Sequence, residues 1–244
     1  MGNLAQSDDH ELLLSFCQKR DESAFTLLAQ RHHAMMYRTA FRILGNQEDA
    51  RDVLQAALII FAKKASELDA RRPLGPWLHR VVLLESANQR RKRARRTRHE
   101  NEAMKQHQPT TSTKSSSLLP ELDKAIDSLK AKDRTAVVLH HLEGHSFPDI
   151  AKQLGGSPDS WRKRCTRALE QLSRKLARHG TPIAGITLTT LLSQQQAKAA
   201  QVPAQTLQGM TRQALTHIAL TTNSSLTLLL MKSKFILLSS FIGG

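Results

Sequence analysis

Two short amphipathic segments on either side of a glycine-rich turn occupy residues 146–172. The apolar residues of the first segment repeat at helical spacing: Phe147, Ile150, Ala151 and Leu154. The Gly-Gly-Ser-Pro run at 155–158 predicts the end of one helix and the start of another. Glycine adopts the left-handed conformation at a helix end, and proline fits the first turn of a helix. Ser157 is placed to cap the second helix through its hydroxyl.

The second segment has one apolar face and one basic face. Its apolar residues are Trp161, Cys165, Ala168, Leu169 and Leu172. Its polar residues are Arg162, Lys163, Arg164, Thr166 and Arg167. A short helix packed across a basic helix is the helix-turn-helix arrangement, in which the second helix enters the major groove of DNA. Turn residues, core spacing and basic face agree, so we favour this interpretation over an ordinary helical hairpin with a solvated basic face.

Four further helices are predicted upstream, where apolar residues again repeat at helical spacing. We expect them at residues 8–20, at 22–44, at 48–68 and from Trp77 onward, with Gly45-Asn46 ending the second. The second half of the fourth helix, from Arg90 to Arg98, is almost entirely arginine and lysine. A run this dense repels itself and requires nearby anions, for which nucleic-acid phosphates are the obvious source. A solvated basic tail is the alternative.

The composition divides the chain into two helical modules, a linker and a tail. The polar, low-complexity residues 100–118 predict a flexible linker between a first module at 8–99 and a second at 119–180. Residues 181–244 form a C-terminal extension of unknown role, for which a helical or membrane-proximal segment and a poorly ordered tail are both open. We therefore predict an all-α protein with two helical modules joined by a flexible linker.

Charge and composition narrow the classes of function. Lysine and arginine outnumber aspartate and glutamate by 36 to 21, which favours a polyanionic partner such as nucleic acid. Cys17 and Cys165 fall at apolar helical positions, so we expect reduced core thiols in a cytosolic protein. The acidic, polar N-terminus leads us to expect no secretory signal.

Nothing in the sequence favours an enzyme. It has no phosphate-binding glycine loop, nucleophile elbow or HExxH pattern, so we predict no catalytic residues and no cofactor. The histidines at 32, 33, 140, 141 and 145 lack the spacing of metal ligands, and no close pair of cysteines accompanies them. We expect these histidines at surfaces or interfaces and predict no metal site.

Two stretches carry a family resemblance. The first is AFTLLAQRHHAMMYRTAFRILGNQEDARDVLQAALIIFAKKA followed by PWLHRVVLLESANQRRKR, and the second is LDKAIDSLKAKDRTAVVLHHLEGHSFPDIAKQLGGSPDSWRKRCTRALEQL. Residues 24–178 thus resemble the bacterial RNA polymerase sigma factors of the extracytoplasmic-function (ECF) class, with a C-terminal extension. The resemblance implies a dissociable, non-catalytic subunit that gives core RNA polymerase its promoter specificity and helps to open the DNA.

The same resemblance implies three groups of binding residues. Contact with core polymerase falls on the third helix, at Asp49, Asp52 and Gln55. Positions of the fourth helix that read the melted −10 element are Trp77, His79, Arg80, Asn88 and Arg91. Positions that read the −35 element are Ser160, Arg162, Lys163, Arg164 and Arg167. Single-stranded bases need a stacking surface beside a basic track, whereas arginine suits guanine edges and lysine mostly holds phosphate.

Two other classes of function compete with this interpretation. A stand-alone helix-turn-helix regulator of duplex DNA accounts for the second module and leaves the first without a role. A membrane-surface interaction protein uses the basic run and the apolar tail, but does not account for the turn residues. We therefore expect a cytoplasmic sigma factor whose partners are core RNA polymerase and promoter DNA. An anti-sigma partner, a membrane contact through the tail, the promoter sequence and the inducing signal are left open.

Overall fold

The computed structural model describes residues 6–103, 118–178, 188 and 202–219, and these contain helices but no strand. The helices are α1 (Asp9–Lys19), α2 (Glu22–Leu44), α3 (Gln47–Lys64), α4 (Leu74–Ala103), α5 (Leu118–Asp127), α6 (Ala131–Val137), α7 (Phe147–Leu154), α8 (Pro158–Arg178) and α9 (204–219). A 3-10 turn, Ala65–Glu67, follows α3, and a π-helical turn, Val138–Leu142, follows α6. The predicted all-α fold class is confirmed.

Polar residues and one glycine set the ends of the first helices. Asp8, Asp21 and Asn46 each accept hydrogen bonds from backbone N–H groups in the first turn of the helix that follows. These bonds satisfy donors that have no partner inside the helix. Gly45 ends α2 with a φ of 69°, which glycine adopts without a Cβ clash. The predicted stop at this glycine is confirmed.

A row of aromatic rings forms the centre of the first module, in which α1 to α4 pack together. The ring of Phe16 in α1 lies 4.9 Å from that of Phe25 in α2, and Phe25 lies 5.3 Å from Phe61 in α3, between centroids. Phe61 then contacts Trp77 of α4 at 6.0 Å. Tilted rings at these separations attract one another in addition to burying apolar area. One continuous row therefore connects all four helices.

The second module contains the predicted helix-turn-helix, with α7 packed on α8 and with α5 and α6 also in contact with α8. Ser157 caps α8 as predicted, accepting a hydrogen bond from the Ser160 N–H at 3.2 Å. The indole of Trp161 donates to the Gly155 carbonyl oxygen at 2.9 Å and so ties α8 to the turn. Cys165 is a buried, unpaired thiol as expected, and burial raises its pKa to about 12.

The two modules pack against each other through a buried charge cluster, formed by Arg42, His79 and Asp123. The Asp123 carboxylate in α5 accepts hydrogen bonds from Arg42 of α2 at 2.6 and 3.0 Å. It also accepts one from Nε2 of His79 in α4 at 2.9 Å. Burial alone would raise the pKa of Asp123, but the Arg42 guanidinium and the His79 hydrogen bond outweigh it and lower that pKa. One side chain of the second module thereby joins two helices of the first.

Helices reach into both ends of the segment predicted as a linker, residues 100–118. α4 continues to Ala103, and α5 begins at Leu118. Residues 104–117 lie outside the described residues.

Part of the predicted C-terminal extension is helical. Within 181–244 the structure describes residue 188 and the segment 202–219, which contains α9. The side-chain amide of Gln55 in α3 donates to the Met210 carbonyl oxygen at 3.2 Å, so α9 lies against the first module. Within the described part of the chain, no helix is long and apolar enough to cross a membrane.

Replacing Asp123 by alanine is expected to destabilise the packed arrangement, because Arg42 stays buried without its counter-charge. Breaking one partner of a buried ion pair typically costs about 3–5 kcal/mol. The matched control is Glu121→Ala, since Glu121 pairs with Lys124 on the exposed side of the same helix, where such a pair contributes at most about 1 kcal/mol. The free energy of unfolding from urea titration is the measurement. Equal losses for the two variants would show that the charge cluster does not hold the modules together.

Candidate nucleic-acid and polymerase interfaces

The exposed face of α8 carries three of the side chains predicted to read the −35 element. Arg162, Lys163 and Arg167 are all exposed. Asp159 in the first turn of α8 lies 2.9 Å from the Lys163 ammonium and 3.8 Å from the Arg162 guanidinium. Exposed ion pairs of this kind are weak, so both cations can exchange this carboxylate for a phosphate or a base edge. This face is accessible to a polyanion.

The other two predicted −35 residues are engaged within the second module. Arg164 is partly exposed and pairs with the mostly buried Asp133 of α6 at 3.0 Å. Ser160 donates its hydroxyl hydrogen to the Ser157 carbonyl oxygen at 2.7 Å. These contacts orient α8 relative to α6 and to its own first turn. The three exposed cations can therefore contact DNA directly, whereas Arg164 and Ser160 already have partners within the protein.

The residues predicted for the −10 element do not share one surface of α4. His79 has no exposed area and belongs to the charge cluster, so DNA has no access to it in this arrangement. Trp77 is half-buried against Phe61, whereas Arg80 is exposed. Asn88 lies further along the helix and accepts a hydrogen bond from the exposed Arg91 at 2.7 Å.

The basic run continues α4 as regular helix. Every residue from 90 to 98 is exposed. One of these cations, Arg93, lies 3.2 Å from the Asp49 carboxylate at the start of α3. The run is therefore a helical, positively charged extension of the first module. A surface of this kind attracts phosphates through counterion release.

The residues predicted to bind polymerase lie along α3 and differ in exposure. Asp52 is exposed. Asp49 accepts hydrogen bonds from Gln89 at 2.9 Å and from Arg93 at 3.2 Å, so it joins the start of α3 to α4. Gln55 is half-buried and donates to Met210 in α9. A groove of about 330 Å³ between α3 and α4 opens beside Asp52 and Gln55.

A basic cleft of about 970 Å³ lies between the two modules, and we call it the intermodule cleft. From the first module it is lined by Trp77 and Arg80, and from the second by Ser160, Trp161 and Arg164. Four further cations line it: Arg71, Arg72, Lys132 and Arg134. Residues predicted to read two different promoter elements therefore face the same space. Sequence reasoning did not anticipate this juxtaposition.

A second contact between the modules is centred on His32 in α2. Its Nδ1 lies 2.7 Å from Glu143 of the second module, and its Nε2 lies 2.8 Å from Asp9 of α1. Burial alone would lower the pKa of His32, but the two carboxylates raise it to about 10. Burial likewise favours a higher pKa for Asp9, but the His32 hydrogen bond outweighs it, and the pKa falls to about 2. A buried imidazolium therefore bridges the two carboxylates at neutral pH.

Sequence reasoning missed four residues that join the modules: His32, Arg42, Asp123 and Glu143. The sequence pattern indicated that two of these four residues are buried. Arg42 and Asp123 fall on the apolar stripes of amphipathic helices, and charged residues are almost never fully buried unless they are paired. A charge on such a stripe indicates a buried partner, although it does not identify that partner. No cluster of His, Cys, Asp and Glu among the described residues is arranged to hold a metal ion.

Comparison with known proteins assigns both modules. The family Sigma-70 region 2 matches residues 28–96, and Sigma-70, region 4 matches residues 119–172. The ECF RNA polymerase sigma factor SigM of Mycobacterium tuberculosis is 30% identical over 176 residues, covering 72% of this chain and 88% of SigM. The ECF RNA polymerase sigma factor SigE of Mycolicibacterium smegmatis is 31% identical over 163 residues, covering 64% of this chain and 63% of SigE.

Among solved structures, that of CnrH in complex with the cytosolic domain of CnrY is 24% identical with a TM-score of 0.35, covering 70% of this chain and 99% of that chain. A sigma-70 region 2 followed by a region 4 that contains a helix-turn-helix defines a transcription initiation factor. The chain belongs to the ECF class of RNA polymerase sigma factors, which direct polymerase to promoters.

The contact around His32 is expected to weaken as the pH rises. Because the pKa of His32 is raised to about 10 from an ordinary value of about 6.5, its contribution to stability is complete below about pH 6.5 and is lost as the pH rises through 10. Urea titrations between about pH 6.5 and 8.5, below the range in which the Cys165 thiol ionises in the unfolded chain, should show this fall in wild type but not in His32→Gln. The control is His33→Gln at the more exposed neighbouring position, which should keep the wild-type slope. His145, 3.7 Å from Glu143, is present in all three proteins. If the free energy of unfolding of His32→Gln fell with pH as steeply as that of wild type, the fall could not be attributed to His32.

Proposed function

We propose that this sigma factor binds core polymerase through α3, reads the −10 element with α4 and reads the −35 element with α8, with its modules separated. The observation that carries the proposal is the intermodule cleft, where Trp77 and Arg80 of one module face Ser160 and Arg164 of the other. Part of each set of reading residues is thereby turned toward the other, whereas Arg162, Lys163 and Arg167 stay exposed outside the cleft. The proposed modules are residues 8–99 and 119–180, joined through 100–118.

The distance between promoter elements supports a separated arrangement. The numbering of the −35 and −10 elements separates them by about 25 base pairs. This is about 85 Å along duplex DNA at about 3.4 Å per pair. Side chains lining one cleft of about 970 Å³ cannot reach both elements. Promoter binding therefore requires that the modules part, which breaks the charge cluster and the contact of His32 with Glu143.

Parting of the modules exposes the residues proposed to read the −10 element. His79 leaves Asp123 and becomes accessible on its own side of α4, while Trp77 and Arg80 lose the second module that faces them across the cleft. Trp77 supplies an aromatic face on which an unpaired base can stack, and such stacking contributes about 1–3 kcal/mol per base. Arg91 and the exposed run from 90 to 98 then follow the phosphate backbone of the melted strand. The proposal assigns α4 both base stacking and phosphate binding.

Two further inferences complete the proposal. We place the protein in the cytoplasm, where bacterial polymerase transcribes. We assign it a binding role and no catalytic role, because its surfaces offer cations and an aromatic face, which bind nucleic acid.

The alternative function is that of a stand-alone regulator of duplex DNA, which differs in needing no polymerase. The predicted anti-sigma partner and membrane contact through the tail stay predictions, and residues 220–244 lie outside the described residues.

Asp52→Arg is expected to abolish binding to core polymerase, because it reverses an exposed charge at the centre of the proposed docking face without disturbing a buried contact. Glu67→Arg makes the same charge change at an exposed position beyond α3 and should bind like wild type. Titration of labelled protein with purified core polymerase, followed by transcription from a promoter library, is the measurement. If wild type ignores polymerase but shifts duplex DNA alone, with steep salt dependence, the protein is a stand-alone regulator.

Two cations of α8 are expected to behave differently in the polymerase-bound protein. Arg162→Ala should weaken binding to a −35 fragment by about 1–3 kcal/mol and relax sequence preference at one position. Lys163→Ala should weaken binding to all sequences and lower the slope of log K against log salt by about 0.9. Arg174→Ala on the exposed C-terminal half of α8 is the matched control and should change neither quantity. If Lys163→Ala lost sequence preference and Arg162→Ala kept it, Lys163 would read the base and Arg162 would hold the phosphate.

A further inference from the structure

The helix α9 buries one narrow stripe and exposes the rest of its surface. The residues of the stripe follow helical spacing and are almost fully buried: Leu207, Thr211, Ala214 and Ile218. Gln208, Arg212 and Gln213 are exposed. A helix with a stripe this narrow is amphipathic and packs one side on a larger body. The contacts of α9 show which part of the protein it packs on.

The contact that locates α9 comes from the proposed polymerase-docking face. Gln55 Nε2 donates to the Met210 carbonyl oxygen at 3.2 Å, across 155 residues of sequence. Gln55 lies three positions after Asp52 on α3, so the two side chains share one face of that helix. Met210 is itself partly buried against the core. The tail segment therefore occupies part of the surface that polymerase would need.

We infer that α9 is an intramolecular cover of the polymerase-docking face, which competes with core polymerase for Gln55. This inference rests on the proposed function of α3. While the Gln55 amide donates to Met210, α9 occupies the space that a polymerase group approaching from the same side would need. Asp52 stays exposed beside the covered position, so polymerase can make its first contact there before it displaces the helix.

The contact has the properties of a reversible one. Gln55 Oε1 is buried without a hydrogen-bond partner among the described residues, and an unpaired buried acceptor lowers the stability of the contact that buries it. Arg212 is the only Asp, Glu, Lys or Arg in the sequence 202–219, and it is exposed. The buried stripe and the Gln55–Met210 hydrogen bond are neutral contacts, whereas a polymerase contact at Asp52 is electrostatic. Salt should therefore weaken the polymerase contact at Asp52 much more than the contact of α9 with α3.

A charge placed in the buried stripe should release the cover. In the full-length protein, Ala214→Asp puts a carboxylate at a fully buried position, which α9 can accommodate only by leaving α3. Gln213→Asp introduces the same residue at the adjacent exposed position and is the matched control. If the uncovered state is about one tenth of the free protein, Ala214→Asp lowers the apparent Kd for core polymerase about tenfold, and Gln213→Asp leaves it unchanged. Hydrogen exchange in α3 should also rise in Ala214→Asp.

A second measurement does not depend on any variant folding. When wild type binds core polymerase, amides of residues 204–219 should lose their protection from hydrogen exchange while those of α3 gain it. Continued protection of 204–219 in the complex would overturn the cover. So would equal polymerase affinities for wild type, Ala214→Asp and Gln213→Asp, provided that Asp52→Arg still abolishes binding. If none of these proteins binds polymerase, it is the assignment of α3 that fails.

Discussion

A single buried carboxylate determines how the two halves of this protein sit together. Asp123 belongs to the second module, yet Arg42 and His79, which bind it, belong to the first. Removing an ionised carboxylate from water is costly, and the cost is offset only while its partners stay in place. The packed arrangement is therefore well defined, because a small displacement of the modules leaves charges buried and unpaired. Separation requires that all three side chains be rehydrated together.

His79 connects this packing to the recognition of DNA. The family resemblance assigns this position to the −10 element, whereas the structure uses its imidazole to bind Asp123. The two uses exclude each other, since one ring nitrogen is occupied and the side chain is fully buried. Under the proposed function, the packed arrangement blocks promoter recognition in two ways. It turns part of each reading surface toward the other, and it withholds one of the reading side chains, His79.

Features that depend on neighbours along the chain could be predicted from the sequence. Gly45 ends a helix and Ser157 caps one, because a positive φ and a hydroxyl acceptor are properties of single residues in a local context. Trp161 and Cys165 are buried because their spacing puts them on the apolar side of α8. These local signals were sufficient for the helices, for the helix-turn-helix and for the exposed cations of its second helix.

Contacts between distant segments could not be predicted in the same way. Arg42 and Asp123 are 81 residues apart, and helical spacing shows that each falls on an apolar stripe without pairing the two. The expectation of two modules on a flexible linker accordingly gave no reason to bury His79. Gln55 lies in the third helix, as its spacing predicted, but its partner Met210 lies in a segment whose composition suggested no role. Pairing of this kind depends on the three-dimensional arrangement, which no local pattern encodes.

The cleft between the modules has one further consequence. The chain contains two tryptophans, Trp77 and Trp161, and both line this cleft, one from each module. Any change in the separation of the modules therefore alters the surroundings of both indoles at once. No tryptophan elsewhere adds a background signal. The intrinsic fluorescence of the unlabelled protein is thus an optical reporter of whether the cleft is closed.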